Sequence, residues 1–207
     1  MKRCWFFDLD GTLADTDRDI REAWKAALDD LGLDCPDFDA KFVAGPPIDE
    51  MTRLLFPDRF TPRLADAIRA GFARHYDADG FPNTHEYPGI LDEVRRLKAR
   101  GDTVAIVTNK RFAGATAMAR HFGWDRVFDG LYAGDMFPAG KLRKPELLAH
   151  AMRELGAEPK ASTMIGDTAG DFEAARKNGI RSIAVPWGYG RPEELAAADL
   201  IARPPFA

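Results

Sequence analysis

The sequence predicts an α/β fold built on a doubly wound parallel sheet, with a small α-helical unit inserted into it, and three observations carry that prediction. A short apolar strand, Trp5-Phe6-Phe7, runs straight into Asp8-Leu9-Asp10-Gly11-Thr12-Leu13. From residue 90 onward, apolar β-like segments alternate with helical patterns, as they do in parallel sheets covered on both faces. Between these two regions lie three helical periods with no strand among them. They read as an insertion between the first strand and its crossover.

In chain order, the first strand ends at Gly11, where the backbone leaves the sheet. Asp8 and Asp10 would share a face if the strand continued. The break instead puts Asp8 at the carboxyl end of a buried strand, where open α/β sheets keep their ligand sites. Residues 16–31 form an amphipathic helix in which Ile20, Ala23, Trp24, Ala27, Leu28 and Leu31 recur at three- and four-residue steps, with Gly32 as the stop. Residues 47–56 and 62–76 repeat the pattern, the latter opened by Thr61 as cap and Pro62 in the first turn. Residues 80–89, rich in Gly and Pro, lead back to the sheet. Then follow a helix to about Arg100, a strand at Thr103 to Thr108, a helix over 112–122, and β-like segments near 131–133, 162–165 and 181–185. Lys144-Pro145 opens one further helix and Asp171 sits at the start of another. Residues 1–14 and 86–207 are thus expected to form the sheet-bearing core, and residues 15–85 the helical unit.

With 207 residues, 45% apolar and 30% charged, the chain has the composition of a globular protein able to bury a sizeable core. No apolar run approaches the roughly 18 residues of a membrane span, so no membrane role is expected. The apolar stretch at Cys4 to Phe7 is too short for a secretion signal and stops at Asp8. Cys4 and Cys35 have no metal-binding spacing, and a reduced, cytoplasmic setting is the expectation. A formal net charge of −4 offers no footprint for nucleic acid, so an anionic substrate must be met by local cations or a metal.

Four short segments carry chemistry. Two carboxylates, Asp8 and Asp10, at the end of a buried strand call for a cation or an acid/base role, because burial raises the free energy of an ionised acid. Thr108-Asn109 ends the second strand and offers a hydroxyl and an amide to an anion, although Thr-Asn after a strand is also a common helix cap. Lys110 and Arg111 read as solvated residues at the helix start, with contact to a substrate anion as the alternative for either. Lys144 supplies a compact positive charge; Lys141 and Arg143 compete for that role. Gly166-Asp167-Thr168-Ala169-Gly170-Asp171 follows an apolar strand, and its hard oxygen ligands suit Mg²⁺. Trp187-Gly188-Tyr189-Gly190 reads as a strand-to-helix turn. His75, His85, His121 and His150 show no ligand spacing, and Trp24 and Phe72 belong to a helical core stripe.

Phe7-Asp8-Leu9-Asp10-Gly11-Thr12-Leu13 resembles the first motif of the haloacid dehalogenase superfamily of aspartate-nucleophile phosphotransferases. Thr108, Lys144-Pro145 and Asp167 with Asp171 fall in the order of its remaining motifs. Only Lys144 has the following proline, although the second proline of many relatives is replaced here. The resemblance implies a Rossmann-like core, Asp8 as nucleophile, Asp10 as general acid and base, and Thr108, Asn109 and Lys144 on the phosphoryl group. It also implies Mg²⁺ held by Asp8, Asp167 and the backbone carbonyl of Asp10, with Asp171 in the outer shell or orienting Lys144. Residues 15–85 occupy the place of a helical cap, in which Gly45-Pro46-Pro47-Ile48 resembles the specificity loop of phosphoglycolate phosphatase-like members. The expected activity is hydrolysis of a small phosphorylated metabolite. Alternatives weighed are a sugar-phosphate mutase with the same motifs and a phospho-accepting signalling receiver, which needs neither the second carboxylate nor the insertion.

Overall fold

The computed structural model describes residues 2–78, 80–138 and 140–203. Its chain divides into two compact units, residues 1–15 with 86–207 and residues 16–85.

The larger unit is a six-stranded sheet. Strands β1 (Cys4–Phe7), β4 (Thr103–Thr108), β5 (Gly130–Ala133), β6 (Ser162–Gly166), β7 (Arg181–Ala184) and β8 (Leu200–Ile201) lie in the order β5-β4-β1-β6-β7-β8. Every pairing is parallel. Central β1 is hydrogen-bonded on both sides, with Phe7 opposite Ile106 of β4 and Ile165 of β6. Such a strand is buried on both faces, and Phe6 and Phe7 are both fully buried. On one face Phe6, Val107 and Met164 pack with Leu147, Leu148 and Ala151 of α7 (Lys144–Glu154) and with Ala174 and Ala175 of α8 (Ala169–Lys177). Phe7 points the other way and meets the edge of Phe128 at 5.9 Å. Helices α5 (Ile90–Ala99) and α6 (Phe112–His121) complete the crossovers, burying Val94, Leu97 and Met118. The short helix α9 (Pro192–Leu195) precedes β8.

From β1 the chain moves outward to β4 and β5, and from β6 it moves the opposite way to β7 and β8. The reversal leaves a crevice at the carboxyl ends of β1 and β6, the place where doubly wound sheets bind ligands. Asp8 and Asp167 are the first residues beyond those two strands.

The smaller unit contains α1 (Asp17–Asp30), α2 (Phe38–Lys41), α3 (Ile48–Leu55) and α4 (Pro62–Ala78). Helix α1 lies against α4, and Gly71 permits the approach: a Cβ there would stand 3.0 Å from that of Ala27. Trp24 is the centre of the apolar cluster, with ring contacts to Phe42 at 5.5 Å and Phe72 at 6.2 Å. As read from the sequence, the Thr61 hydroxyl accepts the Leu64 N–H at 3.0 Å and opens α4, and Gly32 takes the left-handed conformation just past α1. Buried Asp19 accepts from the Asn83 side chain at 2.7 Å and the Thr84 hydroxyl at 2.6 Å, tying the segment after α4 to α1. Two-residue strands β2 (Ala14–Asp15) and β3 (His85–Glu86) pair with each other where the chain passes between the units. These strands, β8, α2 and α9 lacked a sequence signal because a two- to four-residue element is too short to show a period.

Candidate active site

Asp8 stands one residue past β1, its N–H bonded to the Ile165 carbonyl at 2.9 Å. That bond extends the β1–β6 ladder by one step and pins the base of the side chain. Beyond it the backbone coils tightly, with the N–H groups of Thr12, Leu13 and Ala14 all donating to the Leu9 carbonyl. Gly11 makes the coil possible. Its φ is +78°, and a Cβ there would lie 2.2 Å from Asp167 Oδ2, so a side chain is excluded both by conformation and by space.

Lys144, the first residue of α7, reaches the same place. Its Nζ lies 2.7 Å from Asp8 Oδ2 and 2.6 Å from Asp171 Oδ1. Lys144 is almost fully buried. Burial alone would push its ammonium down, but Asp171 and Asp8 outweigh that and hold it above the ordinary lysine range. Asp171 caps the start of α8 in a capping box, its Oδ2 accepting the Thr168 N–H at 3.0 Å and hydroxyl at 2.9 Å. Gly166 leaves room for it, since a Cβ at that position would sit 2.2 Å from Asp171 Cγ.

Asp167 is completely buried. Its Oδ1 accepts the Thr12 hydroxyl at 3.1 Å, and its Oδ2 accepts the Tyr189 N–H at 2.7 Å. Burial first, then the Asp171 and Asp8 charges, push it up to about 8; the Tyr189 N–H and Lys144 pull the other way. Burial likewise pushes Asp8 up to about 7 against the pull of Lys144. Asp8, Asp167 and Asp171 each offer one carboxylate oxygen within 4.8 Å of the others. The Asp10 side chain is not in that group. It turns toward β4, where the Lys110 ammonium meets its Oδ1 at 2.8 Å.

Thr108, at the end of β4, is buried, and its hydroxyl accepts the Lys110 N–H at 3.1 Å. Asn109 is half-buried in the turn that follows. The sheet edge therefore gathers Asp8, Asp10, Thr108, Asn109, Lys144, Asp167 and Asp171. Gly45, Pro46 and Pro47 belong to the smaller unit, where Pro47 precedes α3 and its carbonyl accepts the N–H groups of Glu50 and Met51.

Two readings need correction. Lys110 is not a solvated helix-start residue: its side chain is only 7% exposed and is paired with Asp10. A lysine one residue past Thr-Asn carries no local sign of burial, because its partner lies 100 residues away. Nor is Trp187-Gly188-Tyr189-Gly190 merely a turn. It straps Asp167 in place, with a Cβ at Gly188 falling 2.3 Å from Asp167 Cβ and one at Gly190 falling 1.7 Å from its carbonyl oxygen. Trp187 Nε1 donates to the Thr12 carbonyl at 3.3 Å, and the Tyr189 hydroxyl to Asp15 at 3.2 Å. Two glycines flanking an aromatic after a strand were the available signal.

The chemistry this arrangement suits is set by charge. Four buried or nearly buried carboxylates, Asp8, Asp10, Asp167 and Asp171, face the two ammonium groups of Lys110 and Lys144. Full ionisation leaves two negative charges unbalanced. Asp8 Oδ1 is buried and receives no hydrogen bond from the described residues. A divalent cation with oxygen preference fits both facts.

Comparison with known proteins agrees with this geometry. The sequence profile described as haloacid dehalogenase-like hydrolase matches residues 5–185. The tyrosine-protein kinase PtkA of Mycobacterium tuberculosis is 33% identical over 188 residues, 90% of this chain, which spans only 63% of that relative's length. The phosphoglycolate phosphatase of Chromobacterium violaceum is 31% identical over 215 aligned positions, covering 92% of this chain and 88% of that protein. Among solved structures, a predicted phosphatase from Clostridium acetobutylicum superimposes with a TM-score of 0.87 at 28% identity over 98% of this chain and 94% of its own. The profile runs from β1 through β7 and takes in every carboxylate and lysine of the sheet edge, so the chain belongs to the haloacid dehalogenase-like hydrolase family.

Proposed function

We propose that the chain is a Mg²⁺-dependent phosphatase of small phosphorylated metabolites, phosphoglycolate phosphatase-like, that works through an aspartyl-phosphate on Asp8. The observation that carries this reading is the state of Asp8. One of its oxygens is held by Lys144 while the other is buried and receives no hydrogen bond from the described residues. A carboxylate so oriented can attack phosphorus and divide one difficult displacement into two easier ones.

In the first step an Asp8 oxygen bonds to phosphorus, the ester P–O bond breaks, and Asp10 gives its proton to the leaving oxygen. In the second, a water oxygen bonds to phosphorus, the bond to Asp8 breaks, and Asp10 takes a proton from that water. Lys144 offsets phosphoryl charge throughout, and the Thr108 hydroxyl and Asn109 amide hold phosphoryl oxygens. Mg²⁺, held by the Asp8 and Asp167 carboxylates and the Asp10 backbone carbonyl, would supply further charge neutralisation and align the reacting oxygens. Asp171, engaged on both oxygens, keeps Lys144 in place. Residues 15–85 serve as the cap, with the segment Gly45 to Ile48 reading the part of the substrate beyond the phosphate.

The test is a screen of phosphorylated metabolites with released phosphate as readout, run with and without EDTA. Turnover on small esters that disappears with EDTA and returns with Mg²⁺ is expected. Ca²⁺, larger and less demanding of octahedral geometry, should restore little of it. Full turnover in EDTA would overturn the metal reading.

A further inference from the structure

Lys110 has no role in the reaction as described, yet it is one of the two lysines the fold buries at the sheet edge. Its Nζ stands 2.8 Å from Asp10 Oδ1, and the two side chains are 7% and 11% exposed. Its backbone is held as well, the N–H donating to the Thr108 hydroxyl at 3.1 Å. Placing a long, flexible ammonium where water is scarce costs side-chain entropy and hydration. A charge-assisted contact to the Asp10 carboxylate offsets that cost and restrains the direction in which the carboxylate points.

We propose that Lys110 is a positioning residue, holding the Asp10 carboxylate in the orientation from which it takes a proton from the water that attacks the phosphoenzyme. The contact holds one oxygen of the Asp10 carboxylate at 2.8 Å. It also ties the acid/base group to the end of β4, so that Asp10 is set from two strands at once: its backbone follows β1 and its carboxylate is fixed from β4. This rests on the reading that Asp10 serves as the acid and base of a two-step turnover.

The experiment separates the two steps. An aryl phosphate with a good leaving group needs no proton from Asp10, so phosphoenzyme formation and its hydrolysis can be timed apart by rapid quench and intact-mass measurement. Lys110→Met is expected to leave formation unchanged and to slow hydrolysis about tenfold or more, a fraction of what a general base contributes, so that phosphoenzyme accumulates. Asp10→Asn, measured alongside, should accumulate it too. Equal slowing of both steps in Lys110→Met would make the residue merely structural and overturn the proposal. So would a rise in KM without change in kcat confined to substrates bearing a second anionic group, which would place Lys110 on the substrate instead. Accumulation in Asp10→Asn but not in Lys110→Met overturns the role of Lys110 alone. Absence of phosphoenzyme in both variants, while the unaltered enzyme turns over, overturns the reaction scheme beneath it. Should Lys110→Met fail to fold, Lys110→Leu, which likewise offers Asp10 no donor, takes its place under the same criteria.

Discussion

At the scale of single residues, Asp8 is held both through its backbone and through its carboxylate. Its backbone is fixed by the β1–β6 ladder, one oxygen by Lys144, and the other is buried without a hydrogen bond from the described residues. Asp8→Asn keeps this shape and removes the nucleophile. Its kcat should fall on the order of a thousandfold or more, with the native circular dichroism spectrum retained; retention of a tenth of the rate would exclude Asp8 as nucleophile. Charge crowding makes a second prediction. Asp8 is pushed up to about 7 and Asp167 to about 8, whereas in an unfolded chain both would release their protons near 3.9. Between those limits the folded state holds protons that the unfolded state has lost, so stability is greatest at acid pH and falls as pH rises through 7 to 8. In EDTA the melting temperature should be lower at about pH 9 than at about pH 6, and Mg²⁺ should raise it more at the higher pH, where the ion replaces no protons. An equal Mg²⁺ effect at both would count against a metal held among these carboxylates.

At the scale of elements, the segment from Trp187 to Gly190 is what holds the carboxylate at the end of β6 rigid. Asp167 is fully buried and bonded on both oxygens, and the strap passes too close to it for any side chain at Gly188. The atoms that a Cβ at Gly188 would meet include the Gly11 carbonyl oxygen at 2.3 Å, which is backbone and cannot rotate aside. Gly188→Ala should therefore destabilise the protein by about 1–3 kcal/mol through overpacking, measurable by urea unfolding, and weaken Mg²⁺ binding in calorimetric titration. Trp187→Phe removes the bond to the Thr12 carbonyl but adds no atom against the backbone, and should cost less on both measures. If Gly188→Ala bound Mg²⁺ as tightly as the unaltered chain, the strap would have no part in holding Asp167.

Over the whole molecule, charge is distributed unevenly. Residues 15–85 carry nine Lys or Arg against fifteen Asp or Glu, while the sheet edge gathers buried Lys144 and half-buried Lys110. An acidic unit disfavours a large polyanion such as nucleic acid and leaves small phosphorylated metabolites as the substrate class we propose. No helix among the described residues is long and apolar enough to cross a membrane. On the reading that Gly45, Pro46 and Pro47 select the leaving group, replacing both prolines with alanine should change relative kcat/KM among metabolites more than it changes hydrolysis of a generic aryl phosphate. A uniform drop across all substrates would make the loop structural.

Local information was enough for the fold class and for much of the sheet edge. Apolar strands running into acidic or polar residues at 8, 108 and 167 follow from periodicity, and parallel strands in a doubly wound sheet end at one edge, so these side chains had to meet once the sheet formed. The end of the strand at Gly11, the helix stop at Gly32 and the Thr61 cap were equally legible, because turn and cap chemistry acts within a few residues. Tertiary structure alone decided the burial of Lys110 against Asp10 and the strap over Asp167. It also decided that Asp171, rather than the Asp10 side chain, joins Asp8 and Asp167 within 4.8 Å. Each of these depends on partners far apart in the chain. The free energy of a buried charge is set by what the fold brings to it, and no pattern along the sequence encodes that distance.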